Sequence, residues 1–267
     1  MKWTDTLVRP DTKYGDVVGI EIELEHQDDP TILPEQLDKG WRIEHDGSLR
    51  VNGLEYVLRR PMKLAVALSY TNLLGKHIDA TNNVIDAGRA GIHVHINVGD
   101  LTIKQFINFV SLAHILDNLF ANWCGEKRNG NLFCLKLSDA SYVVEKIEQA
   151  LQAETLDGLY DDDIRYSSVN LKSVVEYGSV EFRSLNSDGN WENISIFAKT
   201  LMRLKDVARR LDNPTMILRD FSMKGDNNFV EEILGEMAVH FPKYKGWEQD
   251  LIDNVRRVQW YAFGKDW

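Results

Sequence analysis

The 267-residue chain is 43% hydrophobic and 27% charged, a balance that suits a globular protein with one main core and excludes a disordered or fibrous one. Its formal net charge of −10 opposes a role as a general nucleic-acid coat, which needs a basic stripe to neutralise phosphates. Cys124 and Cys134 lack C-x-x-C spacing, which argues against a disulfide framework or a thiolate zinc knuckle. There is no run of about 18 apolar residues and no apolar segment after Met1-Lys-Trp-Thr-Asp5, so a soluble, cytoplasmic protein is expected.

The first predicted strand runs from Val17 to His26 and contains Gly19-Ile-Glu21-Ile-Glu23-Leu. Strand residues alternate faces, so Glu21 and Glu23 share one side while Ile20 and Ile22 share the other. An acidic, proline-containing stretch from Asp28 to Lys39 leads to Trp41-Arg-Ile-Glu44. After a turn at Asp46-Gly47, Leu49 to Leu58 reads as a strand or strand pair broken at Asn52-Gly53, a hairpin dipeptide, and it carries Glu55. Pro61 opens a predicted helix reaching His77.

The next strand, Gly91-Ile-His93-Val-His95-Ile, repeats the alternation with imidazoles. Thr102-Ile-Lys-Gln105 has the form of a capping box. It introduces a long helix whose Ile103, Phe106, Val110, Ala113, Leu116, Phe120 and Trp123 should cover the apolar side of the sheet. A second amphipathic stretch spans Ser141 to Ala153, and the run Asp161-Asp162-Asp163 lacks the spacing of a calcium loop and reads as a solvated loop. A strand from Ser167 to Ser173, its hairpin partner from Ser179 to Leu185 with Val180-Glu181-Phe-Arg183, and a helix from Ile194 to Leu211 follow. Beyond Asn213 the pattern gives helices near Asn228 to His240 and Trp247 to Val258, then an aromatic end. The strands cluster without a βαβ rhythm. The expected fold is therefore α+β: an antiparallel sheet with helices on one face over residues 1–212, and a helical C-terminal extension over 213–267 packed on the core.

An antiparallel sheet with one wet face shows such alternation without any chemistry, but solvated faces usually carry Thr, Lys, Ser and Gln. Here those slots hold Glu21, Glu23, His93, His95, Glu181 and Arg183, with Glu55 as an addition from the second strand. Two carboxylates about 5 Å apart repel by roughly 3 kcal/mol at an effective dielectric near 20, so a cation is expected among them. An oxygen-rich set suits Mg²⁺ or Mn²⁺. Arginines near such a face suit phosphate, with Arg183 the strongest candidate and Arg50, Arg59 and Arg128 further ones. No glycine-rich phosphate loop and no G-x-S-x-G elbow is present. His26, His45, His77, His114 and His240 fit ordinary roles.

Four elements occur in order: G-I-E-I-E-L-E at 19–25, D-G-S-L-R then G-L-E-Y-V at 46–57, G-I-H-V-H-I-N at 91–97, and V-N-L then G-S-V-E-F-R at 169–183. The ordered set resembles the amidoligase family of phages and bacteria, within the glutamine synthetase-like carboxylate–amine ligases and related also to the glutamate–cysteine ligases. The resemblance implies a curved, glutamine synthetase-like antiparallel sheet whose concave face binds ATP with two or three Mg²⁺ or Mn²⁺ ions. It implies transfer of the γ-phosphoryl group to a substrate carboxylate and attack of an amine on the acyl phosphate. Carried over by position, Glu21, Glu23, Glu55, His93 and Glu181 resemble metal ligands, Arg183 the arginine on the transferring phosphate, and His95 a phosphate contact; Asp46 and Arg128 also match. The chain is much shorter than glutamine synthetase, so ammonia and free glutamate are not implied. The expected activity is an ATP-dependent ligase forming an amide or isopeptide bond from carboxylate and amine substrates, with no membrane partner. The alternatives are a guanidino-kinase-like phosphotransferase on the same fold, a zinc-dependent hydrolase using the His93-x-His95 pair, or a catalytically dead binding module.

Overall fold

The structure, a computed structural model, describes residues 2–12, 15–28, 33–45, 47–50, 52–81, 83–85, 88–125, 127–128, 131–132, 134–265 and 267. In chain order the elements are β1 (Val17–His26), α1 (Glu35–Asp38), β2 (Trp41–Glu44), β3 (Gly53–Leu58), β4 (Met62–Lys63), α2 (Leu64–Thr81), β5 (Val84–Ile85) and β6 (Gly91–Asn97). There follow α3 (Ile103–Trp123), α4 (Tyr142–Ala153), β7 (Val169–Asn170), α5 (Lys172–Tyr177), β8 (Ser179–Asn186), α6 (Trp191–Arg210), α7 (Pro214–Leu234) and α8 (Trp247–Ala262). The strands form one mixed-length sheet in the order β2-β3-β1-β6-β8-β7, with β4 and β5 paired to β1, and every pairing between them is antiparallel. The fold is α+β, as the sequence pattern predicts.

One face of the sheet is apolar because aliphatic and aromatic residues take alternate positions. Ile20, Ile22 and Leu24 of β1, Val94 and Ile96 of β6, and Val180 and Phe182 of β8 are all buried. Phe182 is clasped edge-on by Phe109 of α3, at 5.7 Å between ring centroids, and by Phe197 of α6, at 6.2 Å. The capping box at the start of α3 is present, with Gln105 N donating to Thr102 Oγ1 and Thr102 N donating to Gln105 Oε1. α3 is buried all round, which requires partners on its outer side as well. Its polar residues find them: Asn108 Nδ2 donates to the carbonyls of Ala208 and Leu211, Ser111 Oγ lies 3.2 Å from Tyr261 Oη, and Asn254 Nδ2 donates to Asn118 Oδ1. Thus α8 closes over α3, and one continuous core reaches from Val18 to Ala262.

Several local expectations change. Pro61 does not open α2; Met62 and Lys63 pair with Val18 and Val17, so the helix starts at Leu64. Leu49 and Arg50 form no strand, and Gly53 N donates to the Arg50 carbonyl in a turn instead of closing a hairpin. The strand expected over Ser167 to Ser173 stops at Asn170, whose Oδ1 accepts from Lys172 N and turns the chain into α5. β7 and β8 are therefore separated by a helix. α7 begins at Pro214, with Asn213 as its cap, and changes direction at Gly225, where φ is 71°. Asp46 lies outside the described residues. Among the described residues no helix is long and apolar enough to cross a membrane. Lys2 Nζ donates to the Trp267 carbonyl at 2.9 Å, so the two ends of the chain touch.

Candidate active site

The opposite face of the sheet gathers its charged residues by register. Glu21 stands opposite His93 across the β1–β6 ladder, Glu23 opposite Glu55 across β1–β3, and His95 opposite Glu181 across β6–β8. The resulting contacts are close. His93 Nδ1 is 3.2 Å from Glu21 Oε2 and 3.4 Å from Glu181 Oε1, while its Nε2 is 3.7 Å from Glu23 Oε1. His95 Nε2 is 3.2 Å from Glu21 Oε1, and its Nδ1 is 3.2 Å from Ser179 Oγ. Glu181 accepts from Asn170 Nδ2 at 2.6 Å and is in contact with Arg183 Nη1. Gly91 N donates to Glu23 Oε2 at 2.7 Å.

Two donor sets form within this row: Glu21, His93 and Glu181, and Glu23, Glu55 and His93. In each, one ligand atom per residue lies within 4.8 Å of the others. His93 belongs to both. Its Nε2 is buried and has no hydrogen-bond partner among the described residues, a state that costs free energy unless something outside the chain engages it. Four carboxylates around one imidazole fit a hard divalent cation such as Mg²⁺ or Mn²⁺. His95 belongs to neither set, so among the described residues no donor set holds both of the imidazoles that the zinc-hydrolase alternative uses.

The surrounding charges favour the ionised forms of Glu21 and Glu181. Burial pushes the Glu21 carboxyl up, but the imidazoles of His95 and His93 outweigh it and hold the group well below its usual range. Burial likewise raises Glu181, and Arg183 with the two imidazoles brings it below normal. Burial opposes the charged form of His95, yet Glu21 and Glu181 leave its pKa raised; Arg183 is raised in the same way against burial, by Glu181 and Glu23.

Glycines make the room. A Cβ on Gly19 would sit 3.2 Å from the His95 Cβ, and one on Gly91 would sit 2.7 Å from Arg128 Nη2. Each short motif thus opens on the residue that lets a neighbouring functional side chain approach the backbone.

The other candidate arginines go to different places. Arg50 lies 3.7 Å from Glu25, with its guanidinium largely exposed. Arg59 pairs with Asp38 at 2.8 Å on the rim of a cleft of about 260 Å³. Gly19, Glu21, Arg60, His95 and Tyr177 also line that cleft. Arg128 is 1% exposed and lines a second cavity of about 200 Å³ at the other end of the ligand row, together with Glu23, His93 and Arg183. Four residues were missed in the sequence. Glu25 continues the Glu21, Glu23 alternation, is buried, and accepts from Arg50 N; the same spacing of two would have found it. Asn170, which fixes Glu181, and Arg89 and Arg165, which line the second cavity, have no local spacing that marks them. Asp161 and Asp162 make ion pairs with Lys146 and Lys172 and enter neither donor set. Cys124 and Cys134 are buried free thiols and enter neither set.

A family model described as "Putative amidoligase enzyme" matches residues 67–204, more than half of the chain. The matched span carries His93, His95, Arg128, Glu181 and Arg183, and it begins after the strands that bear Glu21, Glu23 and Glu55. No curated protein matches the chain.

Proposed function

The chain belongs to the amidoligase family, and on that premise we propose that it is an ATP-dependent carboxylate–amine ligase using Mg²⁺ or Mn²⁺ to form an amide or isopeptide bond. The observation that carries this reading is the row of Glu21, Glu23, Glu55 and Glu181, buried or half-buried around His93, whose Nε2 has no hydrogen-bond partner among the described residues, with Arg183 at its side. In the overall reaction the γ-phosphoryl group of ATP passes to a carboxylate oxygen, ADP leaves, and an amine attacks the acyl carbon and expels inorganic phosphate. Glu21, Glu23, Glu55, His93 and Glu181 would hold the cations, which supply charge neutralisation to the phosphate oxygens when bound.

The chain's own groups divide the remaining work. Arg183 keeps its charge against burial and stands beside Glu181, where it can balance negative charge spreading over a transferred phosphoryl group. His95 contacts Ser179 Oγ and Glu21, its pKa is raised against burial by Glu21 and Glu181, and it offers a second contact for phosphate on the cleft side. The carboxyls of Glu21 and Glu181 stay ionised and so remain available as ligands. Asn170 and the Gly91 amide orient Glu181 and Glu23, and Val57, Leu58 and Pro61 give the first cleft apolar surface.

The test is thermal melting with a non-hydrolysable ATP analogue, with and without Mn²⁺, for the native protein and for Glu23→Gln and Arg183→Ala. Ligand at 100 times its dissociation constant stabilises by about 2.7 kcal/mol, which melting resolves. A metal-dependent shift in the native protein that is lost in both variants is expected, followed by ADP release with matched acid and amine pairs. A native protein that shows no shift with the analogue, with or without Mn²⁺, overturns the reading.

A further inference from the structure

The second cavity is unusual in its charge. Arg89, Arg128, Arg165 and Arg183 all line it, against Glu23 and His93 on the inner wall. Arg183 is matched by Glu181. The other three have no carboxylate within ion-pair distance among the described residues: Arg89 Nη1 donates to the Ser48 carbonyl, Arg165 lies over the Tyr166 ring at 5.0 Å, and Arg128 donates only to the carbonyls of Arg183 and Arg89. Arg128 is the decisive one. Its side chain is buried, and its Nε has no partner among the described residues. A buried guanidinium without an anion costs several kcal/mol, and proteins rarely carry such a charge without a counter-ion. In a chain of net charge −10 no shortage of carboxylates explains the omission.

We infer that this cavity receives an anionic group of the acid substrate other than the carboxyl that reacts, so that the substrate is a diacid and not a simple monoacid. The inference rests on the ligase reading for which group reacts, but the anion site stands on its own geometry. The cavity, of about 200 Å³, is lined by four arginines, Glu23, His93, Ser48 and Tyr166 with no aliphatic side chain, so it suits a small charged headgroup and not a nucleoside base. The larger cleft at the opposite end of the ligand row has the apolar walls a nucleoside needs. Glu23 and His93 form the inner wall of the arginine cavity and also belong to the donor sets, so a molecule anchored on Arg128 extends its far end directly over those ligands. Arginine forks fit either a carboxylate or a phosphonate headgroup.

The experiment is calorimetric titration of the protein, with Mn²⁺ and a non-hydrolysable ATP analogue present, using the diacids from malonate to adipate, their monomethyl esters, and 3-phosphonopropionate. The native protein is compared with Arg89→Ala, Arg165→Ala and Arg128→Lys; the first two change exposed side chains and serve if Arg128→Lys fails to fold. At least one diacid or the phosphonate is expected to bind, its monoester at least about ten-fold more weakly, and each variant is expected to lose about ten-fold in diacid affinity with the analogue's affinity unchanged. Preference for the phosphonate over every dicarboxylate assigns the headgroup as phosphate-like and supports the site. Equal binding of diacid and monoester, no binding by any probe, or loss of the analogue in place of the acid overturns it. The analogue is titrated separately: if it fails to bind while diacid binding stays arginine-dependent, the ligase reading falls and the anion site stands.

Discussion

Gly91 shows how much a single missing side chain does at this site. Its amide holds Glu23, and the space where its Cβ would stand is filled by the guanidinium of Arg128. Gly91→Ala must displace a buried cation whose carbonyl partners are fixed, so it is expected to destabilise the protein by about 1–3 kcal/mol, read as a lower urea midpoint at unchanged slope. Gly19→Ala, with its Cβ 3.2 Å from the His95 Cβ, asks only a few tenths of an ångström of its neighbour and is expected to cost less. At this scale the sequence was legible where function followed the strand period. Glu21, Glu23, His93, His95 and Glu181 announce themselves because a spacing of two puts side chains on one face. Arg89 and Arg165 do not, because they reach the cavity from a loop and a 3₁₀ turn, and nothing in their neighbours encodes a direction.

Among the elements, α3 links the sheet to α8, and His114 is the titratable group in that joint. Burial pushes its pKa from the ordinary 6.5 to about 3, with Tyr261 Oη 3.4 Å from Nδ1. The folded state therefore tolerates only the neutral ring, and the unfolded chain takes up the proton first as pH falls. The stability is complete above pH 6.5 and is lost progressively towards pH 3, by on the order of 4 kcal/mol in total. Urea denaturation of native protein and His114→Gln across pH 4–7 is expected to show a shallower pH slope in the variant; equal slopes would remove His114 as the cause. The capping box of α3 was readable because it lies within four residues, whereas the helix's outer partners come from residues 100 to 150 positions away. The same limit applies to β8. Its register slips against β6 between Ile92 and Val94, so Phe182 and Leu185, three residues apart, both turn into the core. Simple alternation predicts the face of Glu181 and Arg183 but fails beyond them.

For the molecule as a whole, composition predicted a single large core, and the antiparallel α+β architecture followed from strands that cluster without a helix between each pair. What composition hides is the distribution of charge: a chain of net −10 concentrates four arginines around one small cavity, where low-dielectric walls make their field strong locally despite the sign of the total. The contact between Lys2 and Trp267 bears on connectivity. With its ends touching, the chain is topologically a nearly closed ring, and where that ring is cut is a matter of covalent order and not of packing. A short linker joining the present ends, with new ones opened at Leu156 between α4 and the following 3₁₀ turn, severs no helix, no strand and no member of the ligand row. Such a circular permutant is expected to reproduce the native circular dichroism spectrum and melting cooperativity, which would separate the order in which residues are connected from the arrangement in which they act.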